Sequence, residues 1–191
     1  LTSDELWANV SKKARGDVNR AKRREIQTKV LETTEEINDF VNLNEEWAKA
    51  KDLTITNPEK QKEIFWKNHK SGVEKILLAY KESKLIAGLG LGCFNKIVHT
   101  NFVISSYDIE TNLGGTLLTW YAVEWAKTNN FEIYDFSGGG VAESLLSYKR
   151  KWGGKETPYY IFRKIRKHSS YKLYSSVFNL IQKYHFLRSK K

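Results

Sequence analysis

Cysteine is almost missing from this chain. Cys93 stands alone, so no internal disulfide can form, and a lone thiol fits a reducing compartment and a cytoplasmic protein. One cysteine and four scattered histidines offer no zinc-ligand spacing, and no metal is expected. No apolar run approaches the roughly eighteen residues that a membrane span needs. Leu1 to Val10 lacks the basic start, apolar centre and small-residue cleavage site of a secretory signal, and the start at Leu1 in place of Met predicts a processed or truncated chain. Internal repeats and low-complexity linkers are also missing, which leaves 191 residues for one domain with a real core. What is present excludes disorder: 40% of the residues are apolar and 13% aromatic.

The net charge of +10 is unevenly placed. Residues 11–30 contribute +6 and residues 145–191 contribute +12, whereas residues 31–144 carry −6 and residues 1–10 carry −2. Such segregation marks attraction to an anionic partner: nucleic acid, a phosphorylated substrate or a membrane surface.

Periodicity gives the order of elements. Leu6, Val10, Ala14, Val18 and Ala21 recur at helical steps over residues 4–24. Ile26, Thr28 and Val30 alternate as in a half-buried strand, and Thr33 with Glu36 forms a capping-box signature ahead of Ile37, Phe40 and Val41. A second helix follows Asn57-Pro58. Three β-rich runs, "VEKILLAYKE", "KLIAGLGLGCF" and "KIVHTNFVISSY", are separated by Ser83 and Asn95 and read as a meander. Then come a helix with Asn112 as its candidate cap, the short strand "FEIYDF", a helix near residues 141–151, the strand "PYYIFRKI" and a basic amphipathic helix near residues 170–187. The core, residues 25–166, thus reads β-α-α-β-β-β-α-β-α-β. That order resembles the GNAT acyltransferase fold, an α+β domain whose mixed central sheet is flanked by helices and splays to admit an acyl donor.

Two stretches narrow the resemblance. "KKARGDVNRAKRREIQTKV" and "WAKTNNFEIYDFSGG...YKRKWGG" are similar to the first helix and to the strand, glycine turn and aromatic-Lys step of the Fem family, FemX, FemA and FemB. The resemblance implies transfer of an amino acid from aminoacyl-tRNA to the amine of a peptidoglycan-type precursor, with no further cofactor. Fem enzymes generally contain two GNAT-like halves, and this chain has room for the C-terminal one.

The candidate site follows from both lines. Acyl transfer from an ester passes through an oxyanion that a placed cation stabilises, and the resemblance gives that task to Lys149. Its neighbour Tyr148 occupies the place where CoA-dependent GNAT enzymes carry a proton-donating tyrosine. Asp135, ending the short strand, suits an acid that orients or deprotonates the acceptor amine, or one that only fixes the Ser137-Gly138-Gly139-Gly140 turn. Arg15 matches the arginine that the resemblance associates with substrate phosphate, and its planar fork suits a diphosphate. Tyr134, Ser137 and Asn112 are expected beside the substrate. Glu110-Thr111-Asn112-Leu113-Gly114-Gly115-Thr116 stands where a CoA-binding loop would have spaced glycines after Arg or Gln; an acid and adjacent glycines argue against CoA.

The reading is therefore an aminoacyl or acyl transferase with tRNA and an anionic, lipid-linked precursor as partners, cytoplasmic and peripheral at the inner membrane face if the last helix docks there. An acetyl-CoA-dependent N-acetyltransferase is the alternative within the class. A non-catalytic basic module that binds RNA or membrane is the alternative outside it.

Overall fold

The computed structural model describes residues 1–53, 57–105, 109–138, 143–158, 160 and 176. Residues 1–155 form one compact unit and 156–191 a second. The expected strand "PYYIFRKI", but for Pro158 and Tyr160, and the helix near residues 170–187, but for Ser176, lie outside the described residues, as do Gly139 and Gly140 of the glycine turn.

The first unit runs α1 (Ser3–Asn9), α2 (Lys12–Arg23), β1 (Gln27–Val30), α3 (Thr34–Ala50), α4 (Pro58–Ser71), β2 (Glu74–Lys81), β3 (Lys84–Phe94), β4 (Ile97–Ser105), α5 (Ile109–Thr128), β5 (Ile133–Asp135) and α6 (Glu143–Arg150). From β1 to α6 this is the expected order. Two local readings are corrected. The helix expected over residues 4–24 is two helices, because Ser11 caps α2 by accepting the Ala14 amide, while Val10 is extended and buried. The break lets the Ser11 amide donate to the carbonyl of Lys151 at 2.8 Å. Asn112 is no cap: α5 has already begun at Ile109.

The five strands lie in sequence order, each antiparallel to the next until β5 joins β4 in parallel. Such a parallel pair needs a crossover, and α5 supplies it. Each face of the sheet has its own core. Leu77, Ala79, Leu89, Leu91 and Val98 meet α2 and α5 through Ala14, Val18, Leu117 and Leu118 on one side. Ile76, Leu78 and Ile104 meet Ile37, Phe40 and Val41 of α3 on the other. Glycines on β3 make the second layer possible. A Cβ on Gly90 would lie 2.3 Å from the Phe102 ring, and one on Gly88 would lie 2.6 Å from Phe40, so these rings rest directly on the strand. The capping box is present as read: Thr33 accepts the Glu36 amide and Glu36 accepts the Thr33 amide.

One irregularity positions the site. Gly90 pairs with Phe102 but Leu91 pairs with Thr100, so Asn101 is an extra residue bulged out of β4. A bulge bends and twists its strand. Beyond this point β4 diverges from its parallel neighbour.

Candidate active site

β4 and β5 pair only through Ile97–Ile133, Val98–Tyr134 and His99–Asp135. β4 then continues to Ser105, while the chain after β5 turns through Ser137, whose φ of 66° is left-handed. The strands therefore part, and a cavity of about 620 Å³ opens between them under α5 and α6. Its walls are Thr100, Asn101 and Val103 from β4, Asn112, Gly115 and Thr119 from α5, Phe136 and Ser137 from the turn, and Tyr148, Lys149 and Lys151 at the end of α6. A larger groove, about 980 Å³, runs beside β1. There Lys29 is paired with Glu36 at 2.8 Å and with Glu32 at 3.2 Å.

Hydrogen bonding in the cavity is directional. The Thr119 hydroxyl donates to the Gly115 carbonyl at 2.9 Å, one helical turn back. With its only proton so used, Thr119 accepts from the Tyr148 hydroxyl, 3.0 Å away. The Tyr148 oxygen thus faces the cavity with lone pairs rather than a proton. Burial pushes its pKa above the ordinary tyrosine value, an effect tempered by the Thr119 bond, so the phenol stays neutral at physiological pH. Lys151 lies over its ring at 4.2 Å from the centroid. Tyr134, on β5, bonds through its hydroxyl to Thr100 at 2.9 Å, and burial raises its pKa strongly.

The glycine turn is held by a second set. Asp135 accepts the Ser137 amide through Oδ1 at 2.7 Å. Lys149 donates from Nζ to the Ser137 carbonyl. Carboxylate and ammonium thus clamp the two sides of one residue. Burial lowers the Lys149 pKa, and the nearby Asp135 charge works in the opposite direction. An ammonium has three donors, and Ser137 takes one of those on Lys149.

Of the residues expected from the sequence, Lys149, Tyr148, Ser137 and Asn112 line the cavity. Asp135 and Tyr134 stand behind the wall, Asp135 bonded to the lining residue Ser137 and Tyr134 to the lining residue Thr100. Arg15 lies elsewhere on α2, half-buried, with no hydrogen bond or ion pair from its side chain among the described residues. Thr119 and Asn101 were not foreseen. The first hides in the apolar run "LLTWYAV", and the second is singled out only by the bulge.

By sequence, no protein-family profile and no curated protein matches the chain. By structure it resembles FemX with a TM-score of 0.67 over 80% of this chain at 13% identity, and it spans 56% of the FemX chain. It also resembles the aminoglycoside acetyltransferase meta-AAC0020 from an uncultured soil metagenomic sample, solved with sisomicin, with a TM-score of 0.56 at 13% identity over 74% of this chain and 97% of that one. A predicted acetyltransferase with acetyl-CoA from Clostridium acetobutylicum gives a TM-score of 0.56 at 12% identity over 73% and 96% of the respective chains. The fold is thus of the GNAT type and resembles that of FemX.

Proposed function

We propose that this protein is an acyltransferase that moves an activated aminoacyl group from aminoacyl-tRNA to an amine of a cell-envelope precursor. The observation that carries the reading is Lys149, an ammonium fixed by the Ser137 carbonyl at the wall of a cavity that opens where β4 and β5 part. Among the described residues, β4 has no partner on its β5 side beyond His99, and an extended acyl donor can hydrogen-bond to that edge as a further strand would. The acceptor nitrogen attacks the ester carbon, a C–N bond forms and the carbonyl π pair moves to oxygen. Lys149 holds that oxyanion with the N–H groups Ser137 leaves available. As the adduct collapses, the ester C–O bond breaks, and the departing hydroxyl oxygen takes up the proton that the nitrogen gives up. Asp135 keeps one carboxylate oxygen for the amine, and Tyr148 receives an N–H.

The start of α5 favours tRNA over CoA as donor. α5 begins at Ile109, so the amides of Gly114 and Gly115 lie beyond its first turn and are used within the helix, rather than standing open to a pyrophosphate. One observation favours the second reading, an acyl-CoA-dependent N-acetyltransferase: the acetyltransferases match over nearly their whole length, FemX over 56% of its own. Calorimetry with acetyl-CoA, beside transfer assays from labelled aminoacyl-tRNA to a muropeptide precursor, decides between them. The expected result is transfer from aminoacyl-tRNA without tight acetyl-CoA binding. A dissociation constant for acetyl-CoA in the micromolar range or below overturns the donor assignment, and no transfer from either donor overturns the enzyme.

A further inference from the structure

Four large apolar side chains stand exposed where β4 and β5 begin: Phe94 at 71%, Val73 at 60%, Ile133 at 54% and Ile97 at 39%. They come from three separate turns, yet the sheet sets them side by side. Phe94 pairs with Ile97, and Ile97 pairs in turn with Ile133, so the three share one face. Val73 is tied to the same end by its carbonyl, which accepts the Cys93 amide at 2.8 Å. The amides of Glu132 and Ile133 both donate to the Lys96 carbonyl, at 2.8 and 3.2 Å. Isolated exposed apolar residues are ordinary, but a contiguous group held in place by backbone bonds marks a surface that something covers.

The surrounding charge says what. Lys70 lies in the last turn of α4 and Lys96 inside the β3–β4 turn between Phe94 and Ile97, whereas Lys75 of β2 donates to the His69 carbonyl at 3.1 Å. Lys96 is 61% exposed and reaches Glu132 only at 4.0 Å, the outer limit of an ion pair. Lys70 lies 4.4 Å from the Trp66 ring centroid, a cation on an apolar body. Apolar tips flanked by lysines are the arrangement that an anionic bilayer surface receives, side chains in the acyl boundary and ammonium groups among the headgroups.

We propose that this end of the sheet docks on an anionic lipid surface through Phe94, Ile97, Ile133 and Val73, with Lys70 and Lys96 on the headgroups. The consequence for the site is one of distance. The His99–Asp135 pair, where the strands part, is two residues along from Ile97–Ile133, or about 7 Å. Docking therefore brings the rim of the cavity close to the membrane, where a lipid-linked amine is met. That last clause rests on the proposed acyl transfer, whereas the docking stands without it.

Sedimentation of the 191-residue chain with phosphatidylcholine vesicles, with and without phosphatidylglycerol, tests the proposal. Wild type is expected to pellet only with the anionic vesicles at low salt. Phe94→Ser combined with Ile133→Ser should weaken partitioning by about tenfold or more, and Lys96→Glu by about fivefold. Leu53→Ser, at another exposed apolar residue, should pellet as wild type does. All substituted positions are exposed, and circular dichroism confirms that each variant is folded. The proposal is overturned if the double variant and Lys96→Glu pellet like wild type, or if wild type stays in the supernatant. It is equally overturned by a lipid-free dimer that the double variant abolishes, which would assign this end to a second copy of the chain. None of these readings needs transferase activity, so failure here and failure of the proposed reaction are told apart.

Discussion

Replacing Lys149 by alanine separates a placed catalytic cation from a generally basic surface. Removing one positioned oxyanion donor costs about 100- to 1000-fold in kcat when the site is dry. Lys149 is only partly buried and shares its ammonium with the Ser137 carbonyl, so water takes over some of its work. A loss of at least about tenfold, toward the lower part of that range, is expected. The loss should fall on kcat with KM little changed, as for a contact made in the transition state alone. Arg150, next in sequence, has its guanidinium 2.5 Å from Glu143, and Arg150→Ala should do much less. The pH dependence gives a second readout. The oxyanion needs the charged ammonium, and burial lowers the Lys149 pKa, so activity should fall as pH rises through that lowered value, before ordinary lysines titrate. Lys149→Arg should move this alkaline limb upward. Steady-state transfer kinetics across pH, with thermal melts to confirm the fold, measure all of this. Equal losses in Lys149→Ala and Arg150→Ala, or an alkaline limb unmoved by arginine, would refute the argument.

Tyr148→Phe should cut the rate by no more than about fivefold, the worth of one neutral hydrogen bond, because the Tyr148 proton is committed to Thr119; a loss of about a hundredfold or more would instead make it a general acid. His69, the buried residue of α4, accepts the Ile76 amide at Nδ1 over 3.1 Å, and burial with the Lys75 charge depresses its pKa. Its contribution to stability is complete above the unfolded histidine value of about 6.5 and is lost as pH falls from there through the folded value, so melts against pH should show an acid-side loss that His69→Gln flattens. Gly90→Ala should destabilise the fold by about 1–3 kcal/mol, read by urea titration, because its Cβ would sit 2.3 Å from Phe102; adding Phe102→Leu should recover part of that.

Which parts of this site could be read in advance depended on whether a residue's neighbours lie close in sequence. The Thr33 and Glu36 box, the Asn57-Pro58 start and the turns at Ser83 and Asn95 are local, and the last two sit at positive φ of 66° and 52° as turn residues do. Asp135 and Lys149 were legible as a pair across a glycine turn. That they meet on the two sides of the Ser137 peptide was not, since it depends on where α6 docks. The unbroken apolar spacing from Leu6 to Ala21 concealed the Ser11 cap, because a helix period survives a two-residue break when both halves face the same core. The Asn101 bulge was beyond reach: "HTNFV" alternates well enough as a strand, and only the β3 glycines opposite, with Phe102 laid over Gly90, fix the register that extrudes it. The parting of β4 from β5 and the orientation of the Tyr148 proton both come after that register. The chemistry of the cavity therefore rests on a pairing between strands, which single-chain periodicity cannot contain, and Gly90→Ala perturbs fold and site through that one contact.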